Sequence, residues 1–356
     1  MAESRGKIMR LLILTQKVDR NDDVLGFMHG WINEFAKKCE KITVICLKKG
    51  EVSLPANVKV LSLGKETVES RVKYLVNFYK YIFQERKNYD AVFVHMNPEY
   101  VVLGGLFWKL WKKKIALWYV HRAVNLRLRV ANALTHKIFT VSPDSIKIVS
   151  DKIVALGHGV GTEKFKNLNV QLKAPNSILY LGRISAIKNV DVLIEAAILL
   201  DKQNKNFILN IVGEPGEKDK RYFEKIKKLA QSLELKGKIK FLGKIPNYMT
   251  PVVYNQNEVL VNLSPSGSFD KTILEAMACE RLVLVCNDSF KAVLPKEFIF
   301  KESDINDLAD KINFVFNLSE EEKKEYGKKF RQYVFENHNI DNLIQRIVSC
   351  EYEISF

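Results

Sequence analysis

Residues 178–189, ILYLGRISAIKN, pass from an apolar run into a polar loop, just before a stretch with helical periodicity. The apolar run, 178–182, has the length and composition of a buried strand, and apolar residues recur at helical spacing over 190–203. A strand that is apolar throughout and is followed at once by a helix is typical of a parallel sheet covered by helices on both faces. This stretch therefore predicts an α/β unit with a doubly wound parallel sheet.

The same alternation of strands and helices extends on both sides of this stretch. After it, we predict strands at 207–212, 239–242, 259–263, 282–286 and 298–300, and helices at 219–234, 270–279 and 304–316. Before it, a separate series has strands at 9–14, 42–47, 58–63, 91–96, 115–121, 138–142 and 153–156, and helices at 27–39, 66–86, 98–112 and 125–135. Two such series predict two doubly wound domains.

The length of the chain, 356 residues, also favours two domains, because single cores stop growing near roughly 250–300 residues. The polar stretch 166–176 contains Pro175 and lacks an apolar period, which is typical of a linker. We therefore expect an N-terminal domain at 1–165 and a second domain at 177–335. Residues 336–356 are expected to form a C-terminal helix. This helix could pack back on the first domain.

The composition is that of an ordinary globular protein. Hydrophobic residues make up 47% and charged residues 27%, which excludes a disordered chain and a collagen-like repeat. Five cysteines without a Cys-x-x-Cys pair indicate neither a disulfide framework nor a zinc site, and they suggest a reducing compartment. The apolar segment 9–14 is too short for a signal-peptide core, and no run approaches the roughly 18 apolar residues of a membrane span. The expected location is the cytoplasm.

The net charge of +15 is concentrated in the first half of the chain. Residues 1–165 contain 28 Lys and Arg against 15 Asp and Glu, hence +13, and the remainder carries 28 against 26, hence +2. Within 101–150 there are nine basic residues and a single acidic one, Asp144. Such a basic excess favours an anionic partner, which could be nucleic acid, a membrane surface or an anionic small substrate.

Two cations follow the first strand of the second series. Gly182 and Arg183 end that strand, and Lys188 precedes the next helix. In open α/β sheets, ligands bind beyond the carboxyl ends of the strands, and fixed cations beside a helix N-terminus suit a phosphate. From spacing alone, solvated loop charges are an equally good interpretation.

A second strand end carries the segment 262–278, NLSPSGSFDKTILEAMA. A Ser/Gly loop leads into a helix with Glu275 in its second turn, and small residues let a backbone approach a ligand closely. The dipole at the start of that helix favours an anion. Ser and Gly are also ordinary loop residues, so this segment alone does not decide the function.

Together these segments resemble the retaining GT-B glycosyltransferases of family 4, the group 1 glycosyl transferases. The resemblance covers nearly the whole chain and includes 157–165, GHGVGTEKF. It implies two Rossmann-like domains facing a central cleft, with Arg183 and Lys188 on the diphosphate of a nucleotide-sugar donor and Glu275 on its ribose hydroxyls. The other donor-binding residues that it implies are Gly26, Gly182, Gly267, Ser268, Phe269, Asp270 and Lys271.

The segment departs from the family pattern at its start. The family often has a glutamate eight positions before the ribose-binding one, where it contacts the donor sugar, and here that position is Gly267. Asp270 or main-chain groups around Ser268 could contact the donor sugar in place of this glutamate. Farther on, Glu280 and Leu282 stand where the family commonly has Gly and Pro, which we interpret as local turn variation.

The first domain carries the candidate residues on the acceptor side. His121 follows the run 115–120 and resembles the family's active-site histidine, although a lone histidine is more often structural. His95 ends the preceding predicted strand, and Gly26 and His29 stand where the first helix begins. Nearby, Asp22 and Asp23 fit a solvated loop better than a metal site.

The stretch 106–114, LFWKLWKKK, combines two tryptophans with four lysines. Aromatic residues with basic neighbours suit a membrane interface with anionic lipids, and Arg122, Arg127 and Arg129 follow closely. The alternative is a core-facing helix whose C-terminal lysines are favoured by the helix dipole.

The resemblance implies a retaining hexosyltransferase that moves a sugar from a UDP- or GDP-sugar to a glycan or lipid-linked acceptor, in cell-surface polysaccharide or glycolipid synthesis. The resemblance implies no metal and no other cofactor, so fixed cations would stabilise the departing phosphate. We expect no nucleic acid partner, and a peripheral position on the cytoplasmic face of the membrane is one option. The alternatives are a non-catalytic basic RNA-binding or scaffold protein on the same fold, and an epimerase or phosphorylase with GT-B architecture.

Overall fold

The computed structural model describes residues 9–67, 70–170, 172, 174–266 and 270–353. It divides into two compact units. The first contains the chain up to Gly159, the short segment Pro246–Tyr248, and the chain from Ile340 onward. The second contains Val160–Ile245 and Met249–Asn339.

The first unit is built on a parallel sheet that has seven strands among the described residues, in the order β3-β2-β1-β4-β5-β6-β7. Its strands are β1 (Arg10–Val18), β2 (Lys41–Lys49), β3 (Val58–Ser62), β4 (Ala91–His95), β5 (Lys114–Trp118), β6 (Lys137–Thr140) and β7 (Ile153–Ala155). The helices between them are α1 (Phe27–Lys38), α2 (Arg71–Gln84), α3 (Pro98–Leu110) and α4 (Leu126–Leu134).

Helices cover both faces of this sheet. Leu12 and Leu14 of β1 point to the face that is covered by α2, α3 and α4, and they share one core with Phe78 and Trp108 of those helices. Phe93, at an intervening position of β4, packs against Phe35 of α1 with 5.3 Å between the ring centroids. Alternate residues of these strands are therefore buried on opposite faces, which explains why the strands are apolar throughout.

The second unit is built on a parallel sheet with five strands among the described residues, in the order β10-β9-β8-β11-β12. Its strands are β8 (Ser177–Leu181), β9 (Ile208–Val212), β10 (Ile239–Phe241), β11 (Val259–Asn262) and β12 (Leu282–Val285). Its helices are α5 (Val190–Lys202), α6 (Lys220–Leu235), α7 (Thr250–Asn255), α8 (Lys271–Ala278), α9 (Ile305–Phe316) and α10 (Glu320–His338).

One predicted strand is wrong. Residues 298–300 do not join the sheet, because Lys296–Phe298 forms a single 3-10 turn and Ile299 meets Val285 at one isolated bridge. Phe298 and Phe300 are nevertheless buried in the core. The apolar run that suggested a strand is explained by this burial.

The segment expected to be a linker, 166–176, is attached to the second unit. The backbone NH of Leu168 donates to Asn255 Oδ1 at 2.9 Å, and Asn255 Nδ2 donates to the carbonyl of Lys166 at 2.9 Å. Near its end, the backbone NH of Asn176 donates to Glu258 Oε2 at 3.0 Å. Buried polar side chains thus bind this segment, and the N-terminal stretch of the first unit ends at Gly159, six residues before the predicted boundary.

The chain ends in two helices that meet near Asn339. Ser319 and Glu322 form a reciprocal capping box at the start of α10, and Asn339 follows its last residue. The last helix, α11 (Ile340–Glu353), belongs to the first unit and packs on α1. In the described part of the chain, no helix combines the length and apolar character that crossing a membrane requires.

His338, the last residue of α10, makes the stability of the second unit depend on pH. Its Nε2 lies 3.3 Å from the Tyr333 hydroxyl, and its backbone carbonyl accepts a hydrogen bond from the NH of Val160 at 2.8 Å. Burial lowers the pKa of His338 to about 4. Since this lies below the ordinary value of ~6.5, the stabilising contribution is complete above about pH 6.5 and is lost as the pH falls through about 4.

We therefore expect His338→Gln to reduce the acid sensitivity of the protein. Between pH 7 and pH 4 the wild type should lose up to about 3 kcal/mol more free energy of unfolding than the variant, following the pKa difference. Urea titrations at the two pH values measure this difference. Equal losses in the two proteins would show that His338 does not couple protonation to folding.

Candidate functional site

The order of strands in the second unit creates a topological switch point between β8 and β11. The chain runs from β8 outward through β9 to β10, and then returns to place β11 on the other side of β8. The loops that follow β8 and β11 therefore diverge at the carboxyl edge of the sheet. Such an edge leaves a crevice, which is where open α/β sheets bind ligands.

The loop after β8 is held by its own backbone and by Tyr180. The NH of Gly182 donates to the carbonyl of Val212 at 3.0 Å, and the Tyr180 hydroxyl donates to the carbonyl of Arg183 at 2.9 Å. The Arg183 side chain is exposed and has no hydrogen-bond or ion-pair partner among the described residues. The loop thus presents a guanidinium on a well-anchored backbone.

Lys188 connects the two loops across the switch point. Its Nζ lies 2.7 Å from Ser264 Oγ and 2.7 Å from Asp270 Oδ2, both in the segment that follows β11. The lysine and aspartate side chains retain 24% and 18% of their exposure, so this is a partly buried ion pair. The ammonium has three donors, and two of them are used here.

Asp270 begins helix α8 and remains ionised. Its Oδ1 accepts hydrogen bonds from the NH of Thr272 at 3.3 Å and from the Thr272 hydroxyl at 3.1 Å. Burial alone would raise the pKa of Asp270, but the Lys188 ammonium and hydrogen bonds from Asn262 and Ser264 outweigh it and hold that pKa well below its usual range. The carboxylate therefore offsets part of the positive charge at the crevice.

Glu275 lies one turn farther along α8 and is buried. Its Oε2 accepts a hydrogen bond from the Tyr254 hydroxyl at 2.9 Å, and its Oε1 is 3.9 Å from Lys271 Nζ. Burial raises the pKa of Glu275, while Lys271, the Tyr254 hydrogen bond and Lys164 act in the opposite direction. Burial lowers the pKa of Lys271 to about 8, partly opposed by Glu275. Glu275 and Lys271 therefore place a carboxylate and an ammonium in α8, which begins where the loop after β11 ends.

Two residues that the sequence analysis did not single out shape this site. Ser264 hydrogen-bonds both members of the Lys188–Asp270 pair, its hydroxyl donating to Asp270 Oδ2 at 2.9 Å. Gly213 follows β9 with a φ of +139°, and a Cβ there would lie 1.9 Å from the carbonyl oxygen of Gly182. The sequence contained a signal for Gly213, since this glycine directly follows the strand predicted at 207–212, much as Gly182 ends the strand predicted at 178–182.

The structure brings together most of the residues predicted for the donor. Gly182, Arg183 and Lys188 lie on the loop that follows β8. Three more of these residues, Asp270, Lys271 and Glu275, lie at the end of the loop that follows β11 and in helix α8. Three further predicted residues, Gly267, Ser268 and Phe269, lie outside the described residues. The Asp270 carboxylate is paired with Lys188, with 2.7 Å between Oδ2 and Nζ.

The first unit has its own switch point, between β1 and β4. His95 ends β4, but its side chain is 3% exposed and packs edge-on against Phe27 and Trp31. Its Nδ1 lies 3.4 Å from Thr15 Oγ1. His95, one of the candidates on the acceptor side, is thus buried among aromatic rings. The next residue, Met96, has a φ of +63°, which is rare for a large side chain and marks a strained turn at the strand end.

The other predicted residues of the first unit lie at the start of α1, which carries Gly26 and His29, and beyond β5, where His121 follows. Gly26 precedes α1, where a Cβ would lie 2.3 Å from the carbonyl oxygen of Asp22. His29 Nε2 accepts a hydrogen bond from the NH of Ser53 at 3.1 Å. His121 is exposed and lies three residues beyond the end of β5, which is shorter than the predicted strand. Its Nδ1 accepts from the NH of Ala123 at 2.9 Å.

The acidic residues near Gly26 are engaged locally. Asp22 pairs with Lys17, and its Oδ1 accepts from the NH groups of Val24 at 3.0 Å and Leu25 at 2.6 Å. Across the described residues, no group of three or more His, Cys, Asp or Glu side chains is placed to hold a metal ion.

The likeness to solved structures extends over nearly the whole chain. HepE from Anabaena, solved with UDP and glucose, has a TM-score of 0.75 and 16% identity, covering 96% of this chain and 99% of that one. Sucrose-phosphate synthase from Thermosynechococcus elongatus has a TM-score of 0.75 and 17% identity, covering 97% and 99%. At such identities the likeness shows the fold, which is the GT-B architecture of two Rossmann-like domains.

Among curated proteins, the chain is similar to a poly(ribitol-phosphate) alpha-N-acetylglucosaminyltransferase of Staphylococcus aureus (strain COL), with 24% identity over 192 residues. The match covers 51% of this chain and only 36% of that protein. The family model for glycosyl transferases group 1 matches residues 162–347, which is more than half of the chain and contains every residue of the switch point in the second unit. The chain therefore belongs to the group 1 glycosyl transferases.

Proposed function

We propose that the protein is a retaining glycosyltransferase that moves a sugar from a nucleotide-sugar donor to a glycan or lipid-linked acceptor. The observation that carries the proposal is the arrangement at the β8/β11 switch point, where the loop after β8 carries Arg183 and Lys188, and Lys188 contacts Asp270 at the start of α8. Cations at a strand end beside a helix N-terminus form a site for a diphosphate. UDP is the first nucleotide to test, because HepE was solved with UDP and glucose.

Arg183 and Lys188 have different roles in this proposal. The exposed Arg183 guanidinium is free to bind phosphate oxygens in pairs, whereas Lys188 has one remaining donor and a charge that Asp270 partly neutralises. As the bond to the anomeric carbon breaks, negative charge grows on the departing phosphate. Fixed cations therefore stabilise the transition state more than the ground state. In this scheme no metal ion is needed at the diphosphate.

The acceptor is assigned to the first unit. His121 is exposed there and stays our candidate for positioning the reacting groups, with the departing phosphate taking the acceptor proton. The S. aureus relative is named as acting on poly(ribitol-phosphate), which supports an acceptor from a cell-surface polymer. Synthesis of such a polymer or of a glycolipid is the proposed setting.

A thermal-shift panel of UDP-, GDP- and ADP-sugars tests the donor assignment. A ligand that binds only the native state at a hundred times its Kd stabilises that state by about 2.7 kcal/mol. We expect one nucleotide class to raise the Tm clearly and the others to have little effect. If no nucleotide or nucleotide sugar shifts the Tm at millimolar concentration, the proposed function is wrong.

Glu275→Gln is expected to weaken donor binding without unfolding the protein. A carboxylate can accept from both ribose hydroxyls, whereas glutamine offers a single acceptor oxygen, which the Tyr254 hydroxyl can also occupy. If the contact is equal in ground and transition states, KM rises, kcat barely changes, and UDP loses affinity in parallel. Calorimetric titration of UDP into both proteins measures the change.

Tyr254→Phe is the matched control for this experiment. It removes the hydrogen bond to Glu275 and keeps the carboxylate, so it should alter stability more than UDP affinity. Unchanged UDP affinity in a folded Glu275→Gln protein would make Glu275 a structural residue of α8.

A further inference from the structure

The helices α2, α3 and α4 form an outer layer on the first unit, and this layer exposes large apolar side chains. Their inner residues fill the core against the sheet, so the opposite sides of the three helices face outward. Leu106, Leu110 and Leu126 are 68%, 76% and 75% exposed. We define the α2–α4 face by six exposed apolar residues on these helices: Val72, Val76, Leu106, Leu110, Leu126 and Val130.

Contacts between α2, α3 and α4 join the three helices into one layer. The Tyr79 hydroxyl of α2 donates to the carbonyl of Leu103 in α3 at 3.3 Å, and the Phe83 ring lies 5.1 Å from that of Phe107. On the other side of α3, Lys109 Nζ donates to the carbonyl of Ala133 in α4 at 3.2 Å. The six exposed apolar residues therefore belong to one layer of helices. Single exposed apolar residues are ordinary, but several on one helical layer favour an interaction site.

The α2–α4 face is also strongly basic. The three helices contain six basic residues and one acidic residue, Glu99. Glu99 is already paired with Arg127, with 2.7 Å between Oε1 and NH1. By comparison, α10 of the second unit carries five basic and five acidic residues. The basic residues of the face are Arg71, Lys73, Lys80, Lys109, Arg127 and Arg129.

The structure divides the stretch 106–114 between the core and this face. Trp108 is fully buried, so the core-facing interpretation holds for that residue. Lys113 donates to the carbonyl of Tyr89 and also turns inward. Leu106 and Leu110 remain exposed, and Trp111 is half-buried against Phe83 at 5.0 Å between ring centroids. The residues that face outward are those that suit an interface.

We propose that the α2–α4 face docks on the surface of a lipid bilayer that carries anionic headgroups. Exposed leucine and valine side chains gain free energy by entering the headgroup boundary, and basic side chains between them attract anionic lipids. An RNA surface would satisfy the basic residues but would leave the aliphatic side chains in water. The proposal goes beyond sugar transfer and does not depend on it, although it would bring a lipid-linked acceptor within reach.

Co-sedimentation with vesicles tests the proposal without any donor or acceptor. We compare two kinds of vesicle at low and at high salt. One is pure phosphatidylcholine, and the other contains phosphatidylcholine with about 30% of the anionic lipid phosphatidylglycerol. Since the Debye length is near ~8 Å at physiological salt, binding should require the anionic lipid and fall as salt rises. Equal binding to neutral vesicles, or no binding to either kind, would overturn the proposal.

Two sets of variants locate the surface. Each basic residue near an anionic bilayer contributes about fivefold to partitioning, so Lys73→Gln, Lys80→Gln and Arg129→Gln together should weaken binding roughly a hundredfold. Leu106→Ser, Leu110→Ser and Leu126→Ser should weaken it as well, since they remove the apolar contribution. The matched control is Leu235→Ser with Lys324→Gln and Lys328→Gln, in the second unit, where Leu235 is 83% exposed.

The outcomes separate this proposal from the proposed function. Both sets of variants should keep the wild-type Tm and the Tm shift caused by the nucleotide sugar, because the changed residues are exposed and lie in the first unit. Vesicle binding that survives both sets, or that the control reduces equally, would exclude the α2–α4 face. Binding of single-stranded RNA that depends on the basic residues alone, without vesicle binding, would replace the bilayer with a nucleic acid.

Discussion

Replacing Arg183 with alanine is expected to lower the turnover number by roughly a hundred- to a thousandfold, the typical effect of losing one preorganised group that stabilises charge in a transition state. Arg183 is the cation of the switch point without a partner among the described residues, so its full charge is available to the diphosphate. Because the side chain is exposed, the Tm of the unliganded protein should barely change. Transfer assays and thermal unfolding measure the two quantities.

Replacing Lys188 with alanine should cause a similar loss of turnover together with a loss of stability. The variant leaves the Asp270 carboxylate without its ammonium partner at 2.7 Å, in a partly buried position. Lys188→Ala combined with Asp270→Asn should recover the stability but not the turnover, since only the proposed contact with the diphosphate stays missing. This double variant separates the catalytic role of Lys188 from its structural role.

Arg221→Ala, which removes an exposed cation of α6 in the same unit, is the control for charge alone. It should leave turnover within the error of the assay. Near-normal turnover in both the Arg183→Ala and Lys188→Ala proteins would refute the assignment of the diphosphate to this switch point.

Gly213→Ala is expected to have the largest effect on stability, about 4 kcal/mol. The new Cβ would lie 1.9 Å from the carbonyl oxygen of Gly182, so the loops after β8 and β9 must separate. Overpacking of this kind typically costs about 1–3 kcal/mol, and the φ of +139° adds roughly 1–3 kcal/mol of backbone strain. Displacing Gly182 also displaces Arg183, so UDP affinity should fall with the Tm.

Gly237→Ala provides the matched control, because Gly237 has a φ of +71° and no atoms within 4 Å of a new Cβ. It should cost only the strain of the left-handed backbone, about 1–2 kcal/mol, and should leave UDP affinity unchanged. Equal losses of Tm in the two variants would mean that the contact between Gly213 and Gly182 does not matter for stability.

Local patterns were sufficient for most of the fold. Residues 91–94 are all apolar because β4 is buried on both faces, and this made the strand visible in the sequence. The same holds for the helix predicted at 304–316, which is α9, because the Asp304 side chain caps its start by accepting from the NH of Asp307. Burial and capping leave a signal within a few neighbouring residues, which a sequence pattern can detect.

Local patterns failed where a side chain's direction depends on distant parts of the chain. The run 298–300 is apolar because Phe298 and Phe300 fill the core, but β12 accepts only one bridge from it. Trp108 and Trp111 stand three residues apart, yet the first is fully buried and the second is half-buried. An apolar residue is a signal of burial, and it does not tell which element provides the contact.

For the candidate site, the sequence by itself determined the residue types at the ends of β8 and β11 and, through them, a family whose model the chain matches. Only the tertiary structure decided that Lys188 and Asp270, 82 residues apart, form an ion pair, and that His95 is buried among aromatic rings. The physical reason is that strand order, which is set by packing of the whole sheet, determines which loops meet at the switch point. A motif identifies the groups that each loop carries. The contacts between loops form only when the strands have assembled in their order in the sheet.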